Sequence, residues 1–581
     1  MKFSARAKIT PSQALGLMIT LTLLLAVACG TAAPQQEQPA EPTPQQAGVQ
    51  KATPVPQSEE VPAPAEVQIH SGKLTVMLGD LGDGRLDEAF ASPGGGQASL
   101  VRLLGGFLIS DNEQRGMVPG IATKWGVSAD GLTWNFTVRE GVKFHDGSDL
   151  TPEDVTWTFN HYFGPEAQEY ILSTSTLQIA RSMEKIEVSG PDVVTMITKN
   201  FISNMLEEVS EAGSEWKHIM PERAKLNDEQ EALAYDRNPV GAGSMSLVNL
   251  TPAYQWSLER FDDYYYQPQN GLPEDRRVKF QSLDMFVVPE ESTRVAALRA
   301  GETDIAPVTL AAREQVEAGG GRLVFSQEGV ASHVRLLACY DSQYPCHDKR
   351  VRQALYYALD KELIRDRLYG GSEVFQIKGW DVIGPSNIAY TPGLEPFPFD
   401  PEKARQLLAE AGYPNGQGFG KLIVNTYPAT AMPFVVEGAQ LAADMWRKEL
   451  GLDVEVMVRD NVGTKKLERS GELNGQILWR DNENGTDPTG LLTSGYGDPE
   501  SVRRLHEDPE IFRLVQEALR IVDANERAEA YKQLIPRLQE EAHLLGVGYV
   551  NIPWGVGPRV LTWEPRPVAE YFSAPYTITL K

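Results

Sequence analysis

The stretch MVPGIATKWGVSADGLTWNFTVREGVKFHDGSDLTPEDVTWTFNHY, residues 117–162, decides how this chain folds. A half-buried strand is predicted by apolar residues that alternate with polar ones, at Trp134, Phe136 and Val138. Asp130-Gly131 precedes this run and Asp146-Gly147 follows it, and both pairs are typical of tight turns. The middle of the stretch therefore predicts a β-hairpin between turns.

A capped helix is predicted directly after the second turn. Thr151 suits the N-cap, Pro152 suits the first helical position, and Asp154 completes a pattern like a capping box. The following residues are apolar at helical spacing, at Val155, Phe159 and Tyr162. The helix is thus expected to bury one face.

The order of these motifs resembles the signature of family 5 extracellular solute-binding proteins, the dipeptide- and oligopeptide-binding components of ABC importers. The matching residues are Pro119, Ala122, Trp125, Asp130-Gly131, Trp134, Phe136, Arg139, the run GVKFHDG at 141–147, Leu150-Thr151 and Asp154-Val155. They are expected to hold a subdomain together and not to contact ligand. For His145 we favour a role in the turn, with metal binding or acid–base chemistry as the alternative.

Further blocks extend the resemblance over residues 73–581. They are NPVGAGSM at 238–245, ALRAGETDIA at 297–306, DKRVRQALYYALDKELIRDRLYGG at 348–371 and the capped helix that starts at Asp400-Pro401. Ser244-Met245 stands where the family usually has Pro-Tyr, so the resemblance does not predict the conformation of the local turn. Residues 527–544 resemble the last long helix of the family, and residues 548–554 a returning strand.

Composition narrows the class of protein. A chain of 581 residues with 41% hydrophobic residues is large enough for two or three domains. The net charge of −25 argues against nucleic acid as a partner, because phosphates would be repelled. The sequence contains no His-Glu-x-x-His, Gly-x-Ser-x-Gly, Walker A or Rossmann motif, so no catalytic residue, cofactor or metal is expected.

The N-terminus has the pattern of an export signal over residues 1–28. Basic residues come first, and an apolar run at 14–28 follows that is short for a membrane span. Ala26-Val27-Ala28-Cys29 resembles the bacterial lipobox, which predicts cleavage before Cys29 and its lipidation. The alternatives are an uncleaved anchor or plain secretion. Each of these outcomes places the bulk of the protein outside the cytoplasm.

Residues 29–72 predict a disordered tether. This segment is rich in Pro, Gln, Ala and Glu, and it cannot bury enough apolar area to offset the entropy of folding. We expect it to connect a lipid anchor on the cell membrane to the folded part, which begins near Lys73.

The resemblance implies a two-lobed α/β fold like that of periplasmic binding proteins, of type II and of the large three-subdomain class, with a hinge and a ligand cleft between domains. The first lobe is expected to combine 73–115, 236–334 and 545–581, with an appended subdomain at 116–235. Residues 335–544 are expected to form the second lobe.

Cys339 and Cys346 enclose six residues. In an oxidising compartment a disulfide across this loop is expected, with a stabilisation of roughly 2–3 kcal/mol. The alternative is two buried free thiols.

The favoured ligand-contact segment is Trp479-Arg480-Asp481, with Asp487 further along. In peptide-binding members of the family, a Trp-x-x-Asp segment places an aspartate against the amino terminus of the peptide. Asp481 is the first choice for this carboxylate and Asp487 the second, although the spacing departs from that form. The alternatives are that Asp487-Pro488 caps the next helix, that Asp481 is a solvated loop acid, or that this loop binds calcium.

Trp380 and Trp554 are further candidates, because each lies in a segment with nearby Gly or Pro. An aromatic ring in a cleft can stack on a sugar or receive an apolar side chain. The alternative for each is packing in the core.

The sequence thus predicts a monomeric extracytoplasmic receptor that captures a small solute, with short peptides favoured, and delivers it to an ABC permease and its ATPase. An oligosaccharide or another non-peptide solute is the alternative, favoured if Trp380, Trp479 and Trp554 converge. A sensory lipoprotein not coupled to transport is a further alternative. A secreted hydrolase would need a paired-carboxylate or nucleophile–base arrangement, and the sequence shows none at recognisable spacing.

Overall fold

The structure is a computed structural model. It describes residues 72–80, 85–87, 89, 95–112, 116–171, 174–211, 217–224, 226, 229–378, 380, 383–428, 433–483, 487–499, 501, 503–567 and 571–581. The predicted signal, the lipidation site Cys29 and residues 29–71 of the predicted tether lie outside the described residues.

The described part of the chain is a mixed α/β protein. Its strands are β1 Lys73–Leu78, β2 Ile109–Asp111, β3 Met117–Pro119, β4 Ala122–Val127, β5 Thr133–Val138, β6 Met183–Val188, β7 Val193–Thr198, β8 Met245–Thr251, β9 Gln255–Arg260, β10 Ser282–Val287, β11 Ile305–Pro307, β12 Arg322–Leu336, β13 Phe375–Gln376, β14 Lys421–Thr426, β15 Asp453–Val458, β16 Ile477–Glu483, β17 Leu544–Val556, β18 Val560–Thr562 and β19 Thr579–Leu580.

The α-helices alternate with these strands along the chain. They are α1 Gly95–Leu104, α2 Pro152–Phe163, α3 Thr174–Ser182, α4 Met205–Glu208, α5 Glu229–Arg237, α6 Glu291–Ala300, α7 Arg313–Ala318, α8 Lys349–Tyr357, α9 Lys361–Ile364, α10 Pro401–Glu410, α11 Val435–Leu450, α12 Asn461–Ser470, α13 Thr489–Leu492, α14 Pro509–Leu519 and α15 Ala524–Glu541. No helix of the described residues is long and apolar enough to cross a membrane.

The signature stretch folds as its local pattern predicts. β5 pairs with β4 and β7 in a four-stranded sheet of order β4-β5-β7-β6. Asp154 holds the start of α2, because its Oδ2 accepts hydrogen bonds from the backbone N–H and the hydroxyl of Thr151, at 2.9 and 3.0 Å. The apolar face of α2 packs with Trp134 and Phe136 in one buried cluster.

His145 joins the signature to the glycine block at 238–245. Its Nδ1 accepts a hydrogen bond from the backbone N–H of Gly241 at 3.3 Å, and its Nε2 lies 3.1 Å from the carbonyl oxygen of Gly243. Glycine is required in this block because the backbone at the end of α1 lies so close: a Cβ on Gly241 would meet the carbonyl oxygen of Leu104 at 1.9 Å. The hydrogen bonds of the His145 ring are thus to backbone groups of this block, and the ring also packs edge-on against Phe261.

The main sheet has the order β15-β14-β16-β12-β17-β11-β1-β10-β9-β8, with β13 beside β17. The strands at the centre, β12 and β17, are the longest, and they pair antiparallel over most of their length. The first half of β12 lies in the part of the sheet that contains β11, whereas its second half pairs with β16. These two strands therefore connect the two halves of the sheet.

The pairing of β12 with β17 is interrupted near its middle. Ser326 is level with Ile552 and Val330 with Val550, so β12 bulges between them. Within the bulge Glu328 has a positive φ of 53°, and its backbone N–H donates to Asn551 Oδ1 at 2.9 Å. The bulge therefore breaks the strand ladder locally between the two halves of the sheet.

The C-terminal helix differs from the sequence prediction. We expected it to reach residue 544, but α15 ends at Glu541 and Leu544 already begins β17. Ala542 adopts a left-handed conformation with φ 53°, and Leu544 pairs with Arg335. Strand pairing therefore overrides the local helical pattern. Elsewhere in the described part, Cys339 and Cys346 form a disulfide.

Candidate functional site

The parallel strands of the two halves point toward each other. β1, β10 and β11 are parallel, and β12 runs in the same direction as β11 because both are antiparallel to β17. β14, β15 and β16 are also parallel, and β16 is antiparallel to β12. The carboxyl ends of the two sets therefore face each other across the middle of β12.

The register gives the width of this gap. β11 ends at Pro307, which is level with Trp554 and hence with Val324, whereas β16 ends at Glu483, level with Val330. Because β12 bulges here, the width is counted along β17, where Trp554 and Val550 are four residues apart, which corresponds to about 13 Å. In open α/β sheets, ligands bind outside the carboxyl ends of the strands. The facing ends therefore define the candidate binding cleft.

A cavity of about 300 Å³ lies between segments of the two halves. Thr309 and Leu310, directly after β11, form one wall, and Tyr369 and Phe434 belong to the other. Pro553 of β17 also lines it. Its volume is at the lower end of the range for small-molecule sites. The cavity walls are mainly apolar and aromatic.

The aromatic wall of the cavity is held in a strained conformation. Phe434 has a positive φ of 66°, which a non-glycine residue adopts at a cost. Tyr369 anchors this segment, since its hydroxyl donates to the carbonyl of Pro433 at 2.9 Å and its ring lies 5.6 Å from that of Phe434. Burial raises the pKa of Tyr369, which therefore stays protonated and keeps this hydrogen bond.

The predicted segment Trp479-Arg480-Asp481 lies in β16. Trp479 is 1% exposed, and its ring packs so close to Gly438 in α11 that a Cβ there would meet it at 3.2 Å. Arg480 is half-buried and lies opposite His333 on β12. The backbone of Asp481 is level with Ser332, and its side chain lies outside the described part of the structure.

Asp487 has structural partners. Its Oδ1 accepts a hydrogen bond from the backbone N–H of Thr489 at 2.8 Å, and its Oδ2 lies 3.7 Å from Arg527 Nη2. This is the capping arrangement that the sequence offered as the alternative to ligand contact. The hydroxyl of Thr489 is 3.3 Å from that of Ser203, which links the predicted appended subdomain to the predicted second lobe.

The other two tryptophans predicted as ligand contacts, Trp380 and Trp554, pack in the core and do not contact Trp479. Trp380 is 1% exposed, donates to the carbonyl of Leu544 at 3.3 Å and packs against Tyr496. Trp554 is equally buried and donates to Ser326 Oγ at 3.2 Å. Trp554 is level with Val324 and Trp479 with Val334, a separation of about 30 Å along β12.

A group of charged residues surrounds Arg480, and we call it the basic cluster. It comprises Arg335, Arg480, Arg503 and Glu468. Arg335 Nη1 lies 3.4 Å from Glu468 Oε1, and both side chains are buried. Arg480 and Arg503 are only half-buried. Burial raises the pKa of Glu468, but Arg335, Arg503 and Arg480 lower it overall, so the carboxylate is ionised.

The arginines of the basic cluster repel one another. Burial, to which the charges of Arg480 and Arg503 add, lowers the pKa of Arg335 to about 10 against the opposing effect of Glu468. Burial also holds the pKa of His333 well below its ordinary value, with Arg480 and Arg335 adding to the effect, so this imidazole is neutral. The arginines therefore keep this imidazole neutral and oppose one another's charge.

The sequence analysis named Arg480 but missed Arg335, Arg503 and Glu468. No local pattern marks them, because they come from β12, α12 and the segment after α13, far apart in the chain. The cavity residues Tyr369 and Phe434 were missed for the same reason. The one available signal was that successive side chains of a strand point to opposite faces of the sheet. In β16 this separates Arg480 from the buried Trp479.

The sequence profile described as Bacterial extracellular solute-binding proteins, family 5 Middle, matches residues 116–501. Heme-binding protein A of Haemophilus influenzae is 28% identical over 478 residues, covering 75% of this chain and 82% of that protein.

Solved structures agree with the fold. The periplasmic binding protein DppA from Helicobacter pylori, in complex with the peptide STSA, superposes with a TM-score of 0.70 at 20% identity, over 88% of this chain and 99% of that one. NikA from Brucella suis, in complex with Fe(III)-EDTA, gives a TM-score of 0.71 at 21% identity, over 88% and 100%. The chain therefore belongs to the family 5 extracellular solute-binding proteins, the solute receptors of ABC importers, which bind and do not catalyse.

Proposed function

We propose that this protein captures short peptides by closing two lobes over the cleft and delivers them to a membrane permease driven by an ATPase. The observation that carries this proposal is the facing carboxyl ends of two parallel strand sets, joined by β12 and β17. In this proposal the hinge is the bulge between Ser326 and Val330, which moves the boundary between the lobes to a point before the predicted residue 335. The protein acts as a monomer.

The relatives and similar structures support a role as a solute receptor more firmly than they support any single ligand. Their names include heme, a peptide and Fe(III)-EDTA. The oligosaccharide alternative was favoured if three tryptophans converged, and the distance between Trp479 and Trp554 gives it no such support. Asp481 remains our choice for the carboxylate that receives the peptide's amino terminus, with Trp479 and Arg480 beside it.

Mass spectrometry of the solute that co-purifies with residues 30–581 tests the proposal. A heterogeneous set of short peptides is expected. At a hundredfold excess over Kd, each peptide should stabilise the protein by about 2.7 kcal/mol and so raise its melting temperature. Asp481→Ala should weaken binding without unfolding the protein. Leu310→Trp should fill the cavity and weaken binding as well. A single sugar in place of peptides would contradict the ligand class.

We further propose that lipidation of Cys29 holds the protein at the outer face of the membrane. Cys29→Ser should then move the protein into the soluble fraction of the cell envelope. Persistent membrane association of that variant would contradict the lipid anchor. Reconstitution with a candidate ABC permease and its ATPase, followed by peptide uptake, separates transport from a purely sensory role.

A further inference from the structure

Asn551 lies where β17 changes partners on both of its sides. On one side, β17 pairs with β13 up to Val550 and with β11 from Trp554 onward. On the other side, the bulge of β12 interrupts the ladder between the levels of Val550 and Ile552. β13 belongs to the predicted second lobe and β11 to the predicted first lobe. Asn551 therefore marks the point at which β17 passes from one half of the sheet to the other.

The carboxamide of Asn551 joins the bulge to the segment before β13. Its Oδ1 accepts a hydrogen bond from the backbone N–H of Glu328 at 2.9 Å, and its Nδ2 donates to the backbone carbonyl of Glu373 at 2.8 Å. The backbone N–H of Asn551 donates to the carbonyl of Val374 at 2.7 Å. The residue is 3% exposed, so its carboxamide is shielded from water. Asparagine suits this position because a carboxamide offers both an acceptor and donors.

Both partners of the Asn551 carboxamide also contact residues further away. The Glu328 carboxylate accepts a hydrogen bond at 3.0 Å from the backbone N–H of Ser386, in the predicted second lobe. The Glu373 carboxylate lies 2.6 Å from Nη2 of Arg313 in α7, in the predicted first lobe. The left-handed conformation of Glu328 is costly, so the bulge depends on such contacts to persist.

This group of contacts borders the candidate binding cavity. Val374, whose carbonyl accepts from Asn551, lines the cavity, and so does Pro553, two residues further along β17. Movement of the cavity walls is therefore transmitted to the backbone that Asn551 holds.

We propose that Asn551 is a positioning residue for lobe closure. Its carboxamide holds the bulge and the segment before β13 together in the form in which the halves are in contact, which we call the closed form. Opening at the bulge separates Glu328 from Glu373 and exposes their backbone groups to water. This inference rests on the proposed function, since it names the residue that sets how readily the lobes close.

The first test is surface plasmon resonance of the immobilised protein with a pool of tripeptides. Asn551→Leu keeps a side chain of similar size but leaves the N–H of Glu328 and the carbonyl of Glu373 without their partner in the closed form. Affinity should fall about tenfold. The loss should lie in a faster dissociation rate, because the open form still receives the peptide.

Two further variants grade the effect. Asn551→Asp keeps the acceptor for Glu328 and loses the donor to Glu373, so it should also dissociate faster, and it serves as the test if Asn551→Leu does not fold. Glu373→Gln weakens only the partly exposed ion pair with Arg313, so its affinity should fall about threefold at most.

Asn160→Leu is the matched control. It is the same chemical change, and Asn160 Nδ2 donates to the carbonyls of Thr156 and Ile186 within the predicted appended subdomain. Its dissociation rate should equal that of wild type. Urea denaturation of every variant verifies folding. Dissociation rates of Asn551→Leu and Asn551→Asp within twofold of wild type would overturn the inference.

Scattering of the ligand-free protein separates this inference from the proposed function. Asn551→Leu should have a larger radius of gyration than wild type, and Asn160→Leu should not. If wild type binds no tripeptide, the peptide function fails, and scattering alone decides the inference. A larger radius for Asn551→Leu would then support the role in closure, and an equal radius would overturn it.

Discussion

Two glutamates of this protein each face three arginines, yet their surroundings differ. Glu211 lies near Arg102, Arg276 and Arg566 in the first half of the structure. Glu468 lies near Arg335, Arg480 and Arg503 in the second. The first set also includes Asp111, which pairs with Arg566, and Glu274, whose Oε1 accepts from Arg276 Nε at 2.7 Å. The first set is balanced, with three acids for three arginines.

The two sets also differ in how closely the charges approach. Glu211 Oε1 lies 2.9 Å from Arg102 Nη1 and 3.2 Å from Arg566 Nη1. Burial raises the pKa of Glu211, but Arg566, Arg102 and Arg276 lower it to about 2. Glu468 has one ion pair within the described residues, at 3.4 Å. Glu211 therefore lies closer to its arginines than Glu468 does to Arg335.

The largest effect is expected in the balanced cluster. Glu211→Gln removes the shared partner of three largely buried arginines and leaves two acids of the set, Asp111 and Glu274, for three arginines, so unfolding should become easier by about 3–5 kcal/mol. Denaturation with urea, followed by circular dichroism, measures this loss. A loss below about 1 kcal/mol would show that the cluster does not hold the fold together.

The response to acid should also distinguish the two halves, because the stability of the first half depends on a neutral histidine. Burial lowers the pKa of His145 to about 4. In the unfolded chain this group titrates near 6.5, so the unfolded state binds a proton first as the pH falls. The stability contributed by the neutral ring is then lost between about pH 6.5 and 4, by up to about 3 kcal/mol.

His145→Gln should remove this part of the pH dependence, and urea denaturation at pH 7 and pH 4.5 measures it. The variant should lose less stability between the two pH values than wild type does. His347→Gln is the control, since that ring lies in a different loop and contacts the carbonyl of Cys339. An unchanged difference between the two pH values would contradict the prediction.

The basic cluster should behave in the opposite way to the balanced one. Arg503→Gln removes a charge that Glu468 attracts and Arg480 repels, so the stability of the ligand-free protein should change by less than about 1 kcal/mol, in either direction. Urea denaturation beside Glu211→Gln makes the comparison direct. A loss of several kcal/mol would mean that the cluster holds the fold together, as the first one does.

Local chemistry explains what the sequence could predict. The caps at Thr151 and Asp400 and the left-handed Gly301 depend on residues within four positions of one another, and the structure has all of them. The family blocks extended these local patterns into a fold class. Such features need no knowledge of which strands become neighbours.

The site depends on strand register, which the sequence does not display. Arg335 and Arg480 come together only because β12 and β16 pair antiparallel with His333 opposite Arg480. The same register buries Trp479 on the other face, where the sequence alone favoured ligand contact. The sequence predicted the end of α15 too late for a related reason, because Leu544 pairs with β12 and belongs to β17.

The smallest effect is expected where the two halves touch. The Ser203 hydroxyl lies 3.3 Å from Thr489 Oγ1, which in turn lies 2.8 Å from the Tyr531 hydroxyl. Ser203→Ala removes one hydrogen bond, worth about 0.5–1.5 kcal/mol, from the form in which the halves are in contact. Small-angle scattering of the ligand-free protein should show a larger radius of gyration, and affinity should fall by about two- to tenfold. Thr562→Ala is the matched control, because its hydroxyl pairs with that of Thr579 within a single hairpin and should leave both values unchanged. If Ser203→Ala leaves scattering and affinity as in wild type, the contact is incidental, and closure must be held by the ligand alone.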